Sequence, residues 1–141
     1  MSTYLDAWKK RRTALDAMLQ KAMRLGLTKG VAVIALEAHG FATPEPIEWM
    51  DLNVFERSPD PDKSRDKGAS YLGIALGKYA KMRSTRCPSG PIPRPARAGE
   101  NDWLGGIVMT LEDGRIYLSY SGGTEEQDVE IALAGREAIL E

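Results

Sequence analysis

The sequence predicts an α+β protein, and three observations carry that reading. Gly30 to Leu36 is a short apolar run rich in β-branched residues, as a buried strand is. Trp103 to Ser121 alternates around Asp113-Gly114, as a hairpin does. Residues 3–26, 69–85 and 124–140 carry helical spacing or helix-end signals. The expected order is α-β-β-α-β-β-α.

Residues 3–26 place Leu5, Trp8, Leu15, Leu19, Ala22 and Met23 near one stripe, and Gly26 is a natural C-terminal stop. A basic membrane-binding helix is the rival reading, but Asp6 and Asp16 dilute its charge. After the run at 30–36, Ala38-His39-Gly40 reads as a turn. Phe41 to about Leu52 then reads as a returning strand, confined by Pro44 and Pro46 to an edge or bulge.

Ser58 to Lys67 mixes charges with two prolines, so residues 53–68 are expected to form an exposed, mobile loop. In the helix at 69–85 the apolar stripe is Leu72, Leu76, Tyr79 and Met82, while Ala69, Gly73 and Gly77 recur on another face. Each mid-helix glycine costs about 1 kcal/mol relative to alanine. Two at this spacing imply a closely passing backbone, from the chain's own sheet or a neighbouring subunit. Cys87 to Gly99 is a proline-rich, extended connection.

With Asp113-Gly114 as a two-residue turn, Glu112 falls opposite Arg115, Met109 opposite Leu118 and Ile107 opposite Tyr120. Ile107, Met109, Leu111, Ile116, Leu118 and Tyr120 then share a core face. Val108, Thr110, Tyr117 and Ser119 form a half-polar face suited to a ligand, a subunit or solvent. Thr124-Glu-Glu-Gln127 reads as a capping box, and Glu125, Glu126 and Asp128 complement the positive end of the helix dipole.

Composition narrows the classes. The 141 residues fit one domain spanning 1–141, with a formal charge of −1. That balance argues against nucleic acid or an anionic membrane as partner. A single cysteine allows no internal disulfide, no apolar run reaches the ~20 residues of a membrane span, and Lys9 to Arg12 lead into no signal-like apolar stretch. The expected location is cytoplasmic. One histidine and one cysteine make no zinc site, and no phosphate-binding loop or nucleophile elbow occurs.

Trp103-Leu-Gly-Gly-Ile107, Tyr120-Ser-Gly-Gly-Thr-Glu-Glu-Gln-Asp-Val129 and Ile131-Ala-Leu-Ala-Gly-Arg-Glu-Ala-Ile139 together resemble the C-terminal half of the GlcG-like family, also called the haem-degrading domain family. It includes HbpS-like proteins and the C-terminal domain of PduO-type proteins. Upstream, Val31 to Gly40 is similar to the family's first strand and turn, with Glu37 where an aspartate is usual. Trp49-Met-Asp51 is similar to its Arg-Met-Asp without the arginine, and Lys78 and Ala80 fall near the Lys-Ala of its central helix. The charged insertion at 53–68 and the proline-rich stretch depart from the pattern. The resemblance implies a profilin-like fold, an antiparallel sheet with packed helices, commonly assembled into homo-oligomers. Its members are variously linked to haem binding or to iron release from haem.

Haem calls for an axial His, Cys, Met or Tyr. His39 reads as a turn residue or a ligand, Cys87 as an ordinary thiol, and Tyr117 as strand filler or a pocket residue. Ser121, Gly122, Gly123 and Thr124 offer backbone N–H groups at a helix start, as an anion site or simply as a cap. Arg94 and Arg97 are candidates to clamp a carboxylate across a subunit boundary. The leading expectation is an oligomeric small-molecule-binding protein, with haem or another tetrapyrrole as ligand and other copies of itself as partners. The alternatives are an enzyme on a small organic acid built from Arg94, Arg97 and His39, and a purely structural assembly module.

Overall fold

The computed structural model describes residues 3–39 and 45–141. The N-terminal helical segment is bent into α1 (Tyr4–Lys9) and α2 (Arg11–Arg24). Neither glycine nor proline breaks it. Lys10 leaves helical geometry, and its ammonium bonds the carbonyls of Ile139 and Glu141. The buried stripe is Ala7, Ala14, Leu15, Met18, Leu19 and Ala22, whereas Leu5 and Met23 are exposed. Gly26, at φ +85°, carries the chain out of α2.

β1 (Val31–Ala38) is apolar almost throughout because both its faces are covered. It pairs antiparallel with β2 (Ile47–Asp51) and with β6 (Gly114–Ser121), and β6 pairs with β5 (Gly106–Thr110), giving the order β2-β1-β6-β5. The expected second strand therefore forms from Ile47. Its first part, Phe41 to Pro44, lies outside the described residues together with Gly40 of the expected turn.

α1, α2 and α4 (Glu125–Leu140) cover one face of the sheet. Ala32, Ile34, Leu36, Met109, Ile116, Leu118 and Tyr120 pack there with Leu15, Met18, Ile131 and Ile139. Full burial of each large apolar side chain contributes roughly 1.5–3 kcal/mol. α3 (Tyr71–Thr85) covers the other face through Tyr71, Ala75 and Met82, which meet Val31, Val33, Ala35 and Tyr117. The buried stripe of α3 is thus Tyr71-Ala75-Lys78-Met82, rotated from the expected one. Leu72, Leu76 and Tyr79 are only partly buried. Tyr117 and Ser119 of the half-polar sheet face are buried, Val108 is half-buried and Thr110 is exposed. α3 lies on this face, and the Ser119 hydroxyl donates to the Ala75 carbonyl at 3.0 Å.

The hairpin keeps its faces but not its register. Thr110 pairs with Arg115, Met109 with Ile116 and Ile107 with Leu118, two residues from the expected partners. The loop spans Leu111 to Gly114, closed by Leu111 N–H to the Gly114 carbonyl at 2.8 Å. Gly114 is needed for close approach rather than for the turn: a Cβ there would sit 2.6 Å from the Glu37 carbonyl. Asp113 is engaged too, accepting from Tyr4 N–H at 2.8 Å through its side chain and from His39 N–H at 2.9 Å through its carbonyl. A two-residue shift preserves parity, which is why Tyr117 still faces away from Met109.

Residues 53–68 contain β3 (Glu56–Arg57), paired with β4 (Ala69–Ser70). Asp66 accepts both guanidinium nitrogens of Arg57 and the N–H groups of Asp60 and Gly68. At the start of α4 both halves of the expected capping box are present: Gln127 N–H donates to the Thr124 hydroxyl, and Thr124 N–H to the Gln127 side chain.

Candidate functional site

Where β6 ends and α4 begins, the chain must turn sharply against the start of β1. Gly122, at φ +146°, permits this, since a Cβ there would come 2.5 Å from the Lys29 carbonyl. Opposite, Gly105 at φ +118° lets the chain before β5 press on the same place. Between them opens a cavity of about 300 Å³, lined by Lys29, Tyr71, Ile74, Lys78, Trp103, Ser121, Gly122, Gly123, Glu125 and Asp128. Tyr71, Ile74 and Trp103 are its apolar walls. Lys29 sits over the Tyr71 ring, 5.4 Å from its centre.

The floor is a buried ion pair. Lys78 is 1% exposed and donates to the Tyr120 carbonyl at 2.6 Å and to Asp128 Oδ2 at 3.0 Å. Asp128 Oδ1 in turn accepts Gly123 N–H at 2.9 Å. Burial is the main influence on both groups, pushing the ammonium pKa down and the carboxyl pKa up against their mutual attraction. The pair is therefore held together in a site where each charge is costly. An ammonium has three N–H bonds to give, and Lys78 has two acceptors among the described residues.

A larger groove of about 550 Å³ runs between α2 and α4, from Thr13 and Asp16 to Glu130 and Glu141. Its polar groups are surface side chains with no buried charge and no aromatic wall, so the smaller cavity is the better candidate.

A second polar cluster surrounds Glu37, near the end of β1. Its carboxylate accepts from the Tyr117 hydroxyl and from Arg86 at 3.0 Å, with Arg83 at 3.3 Å and Arg115 at 3.6 Å. Burial raises the Glu37 pKa, but the bonds from Tyr117 and Arg86 and the charges of Arg83 and Arg86 outweigh it, and the net shift is downward. Tyr117 is pushed up, first by burial and then by Glu37. His39 Nε2 lies 3.0 Å from Arg115 Nη1. A third cluster joins buried Lys81 to Asp102 and the Gly90 carbonyl.

The candidate residues from the sequence thus fall in three places. Ser121, Gly122 and Gly123 line the cavity, with Thr124 capping the helix just beyond. His39 and Tyr117 join the Glu37 cluster, and Tyr117 stands about 13 Å along β6 from Ser121. Arg94 pairs with Glu100 through both guanidinium nitrogens, while Arg97 gives Glu100 its backbone N–H. Sequence reasoning missed Lys29, Tyr71, Lys78, Trp103 and Asp128 as site residues. A readable signal existed at Lys78, a charge at helical spacing from Tyr71, Ala75 and Met82.

Among the described residues no three or more His, Cys, Asp or Glu side chains gather as metal ligands. Nor, among them, is any helix long and apolar enough to cross a membrane.

No protein-family model matches the chain, and no curated protein does. Solved structures do. Klebsiella pneumoniae protein ORFY, of family DUF336, superimposes with a TM-score of 0.57 at 17% identity over 99% of this chain and 90% of its own. PduOC, in its haem complex, gives 0.56 at 17% identity over 90% and 89%. Ybr137w gives 0.51 at 15% identity over 99% and 78%. The chain has the fold of a DUF336 protein and of PduOC, so the resemblance to GlcG-like and PduO C-terminal domains holds at the level of fold.

Proposed function

We propose that the protein binds a small, flat, carboxylate-bearing molecule in the cavity at the β6–α4 turn, as a homodimer or larger assembly, with a tetrapyrrole as the ligand class. The observation that carries this reading is Lys78, a buried cation that lines the cavity beside Tyr71 and Trp103 and has two acceptors among the described residues. Ligand pockets are usually apolar with a few placed polar groups, and this one matches that description. Tyr71 and Trp103 suit the faces of a ring, and Lys29 and Lys78 suit its carboxylates. That PduOC, of the same fold, has been crystallised with haem supports the choice of class.

About 300 Å³ is the lower end of the range for ligand pockets, so such a ring would enter by one edge. Trp103, 51% exposed at the mouth, would carry the rest. The enzyme alternative has less support within one chain, where His39 is engaged by Arg115 and Arg94 by Glu100. Absorption titration with haem is the test. A saturable Soret shift that weakens in Trp103→Ala is expected, and an unchanged spectrum across the micromolar range would exclude the tetrapyrrole class.

A further inference from the structure

The donor set around the cavity is poor in ligands for haem iron. Iron takes an axial His, Cys, Met or Tyr, and Tyr71 alone among the cavity residues is of these types. His39 Nε2 faces Arg115 in the Glu37 cluster. Cys87 follows α3 at its C-terminal end, its thiol 3.4 Å from the Thr85 carbonyl. Met18, Met82 and Met109 are buried in the two cores on either side of the sheet. Tyr71 is buried, packs on Val31 and Val33, and has Lys29 over its ring.

What the cavity does offer is ring and carboxylate chemistry. Lys78 lines it with a buried ammonium, Lys29 adds a second ammonium, and Trp103 supplies a half-exposed indole. Against these stand Glu125 and Asp128, so the lining is close to neutral in sum. Asp128 is already committed to Lys78 and Gly123. Glu125 lies exposed in the first turn of α4, where water screens it.

Resting on the cavity reading above, we infer that this chain recognises a tetrapyrrole through its ring and carboxylates and leaves the central metal without a protein ligand. Recognition is then indifferent to the metal. The metal-free ring should bind as well as the iron ring, because stacking and the lysine contacts are common to both. An axial bond would separate the two strongly.

The experiment titrates the full chain with haemin and, separately, with metal-free protoporphyrin, following quenching of tryptophan fluorescence and the Soret band. The expected result is dissociation constants equal within about threefold, both weakened together by Trp103→Ala and by Lys29→Met. Haemin binding more than about tenfold tighter than the metal-free ring would overturn the inference while leaving the cavity reading intact. So would a haemin spectrum with a protein-ligand band that disappears in Tyr71→Phe. If neither ring binds, the cavity reading itself fails and the inference with it.

Discussion

Lys78 Nζ lies 3.0 Å from Asp128 Oδ2, and this contact ties α3 to the first turn of α4 across the end of β6. Both side chains are nearly free of solvent. A buried pair of this kind adds little over a well-packed apolar pair, yet breaking one half strands the other. Lys78→Met should therefore cost about 3–5 kcal/mol in urea unfolding. Adding Asp128→Asn should restore a large part, since asparagine carries no charge and keeps an oxygen for Gly123 N–H. A double variant no more stable than the single one would show that the charge is not the issue.

Gly105 is the backbone's concession to that pair. A Cβ there would stand 2.6 Å from the Asp128 Cβ and 2.7 Å from Lys78 Nζ, and φ is +118°. Gly105→Ala should cost at least the 1–3 kcal/mol or so of a strained backbone, and should weaken ligand binding by displacing Lys78. Denaturation together with ring titration checks both halves. A variant that melts like the parent would mean the β5 approach can shift at little cost.

Glu37 makes stability depend on acid. Its pKa in the folded protein is depressed, so its contribution is fully present above the unfolded value of about 4.3 and fades as pH falls through the folded value. Glu37→Gln should destabilise the protein at neutral pH by leaving Arg83, Arg86 and Arg115 without the negative charge they share. The gap between variant and parent should narrow below about pH 4. Chemical denaturation at several pH values measures it, and a gap that stays constant would assign the acid sensitivity elsewhere.

These sites show what the sequence reveals and what it hides. The strand at 31–38 and the capping box at 124–127 were legible because each is decided locally, by β-branched burial on one hand and by two reciprocal hydrogen bonds on the other. The hairpin register was not. It is decided where Gly114 must pass the Glu37 carbonyl and Asp113 must meet Tyr4 and His39, partners distant in the chain. The same holds for the site. Gly122 and Gly123 announce themselves by their position before a helix, but Lys78 becomes a cavity floor only because α3 lies across β6.

The cap itself is worth a separate measurement. Thr124→Ala removes the acceptor of Gln127 N–H and should cost on the order of 1 kcal/mol. A reversible melt in which the variant matches the parent would give Thr124 some other role.

Assembly is the remaining prediction, and two of the features that first suggested it have internal explanations. A Cβ on Gly77 would meet Asn101 Nδ2 at 2.6 Å, so the closely passing chain is its own 99–101 segment. Tyr117 and Ser119 of the half-polar sheet face are covered by α3. Among the large apolar side chains left exposed are Ile92, at 77% exposure in the proline-rich segment, Trp103 at the cavity, and Leu104 next to it in the chain, which Gly90 approaches. Exposed apolar side chains of this kind are candidates for a contact surface, and closed symmetric oligomers use one patch on every copy. A second copy laid there would also cover the outer part of a ring that one cavity holds by its edge. A stable contact needs about 800 Å² from each partner, so the patch must extend over neighbouring residues of the 87–99 segment. Light scattering at micromolar concentration should give at least twice the 15.5 kDa of one chain. Ile92→Glu with Trp103→Glu should shift the protein toward monomer without loss of helicity. A parent mass near one chain would defeat the assembly and would leave the ligand to a single cavity.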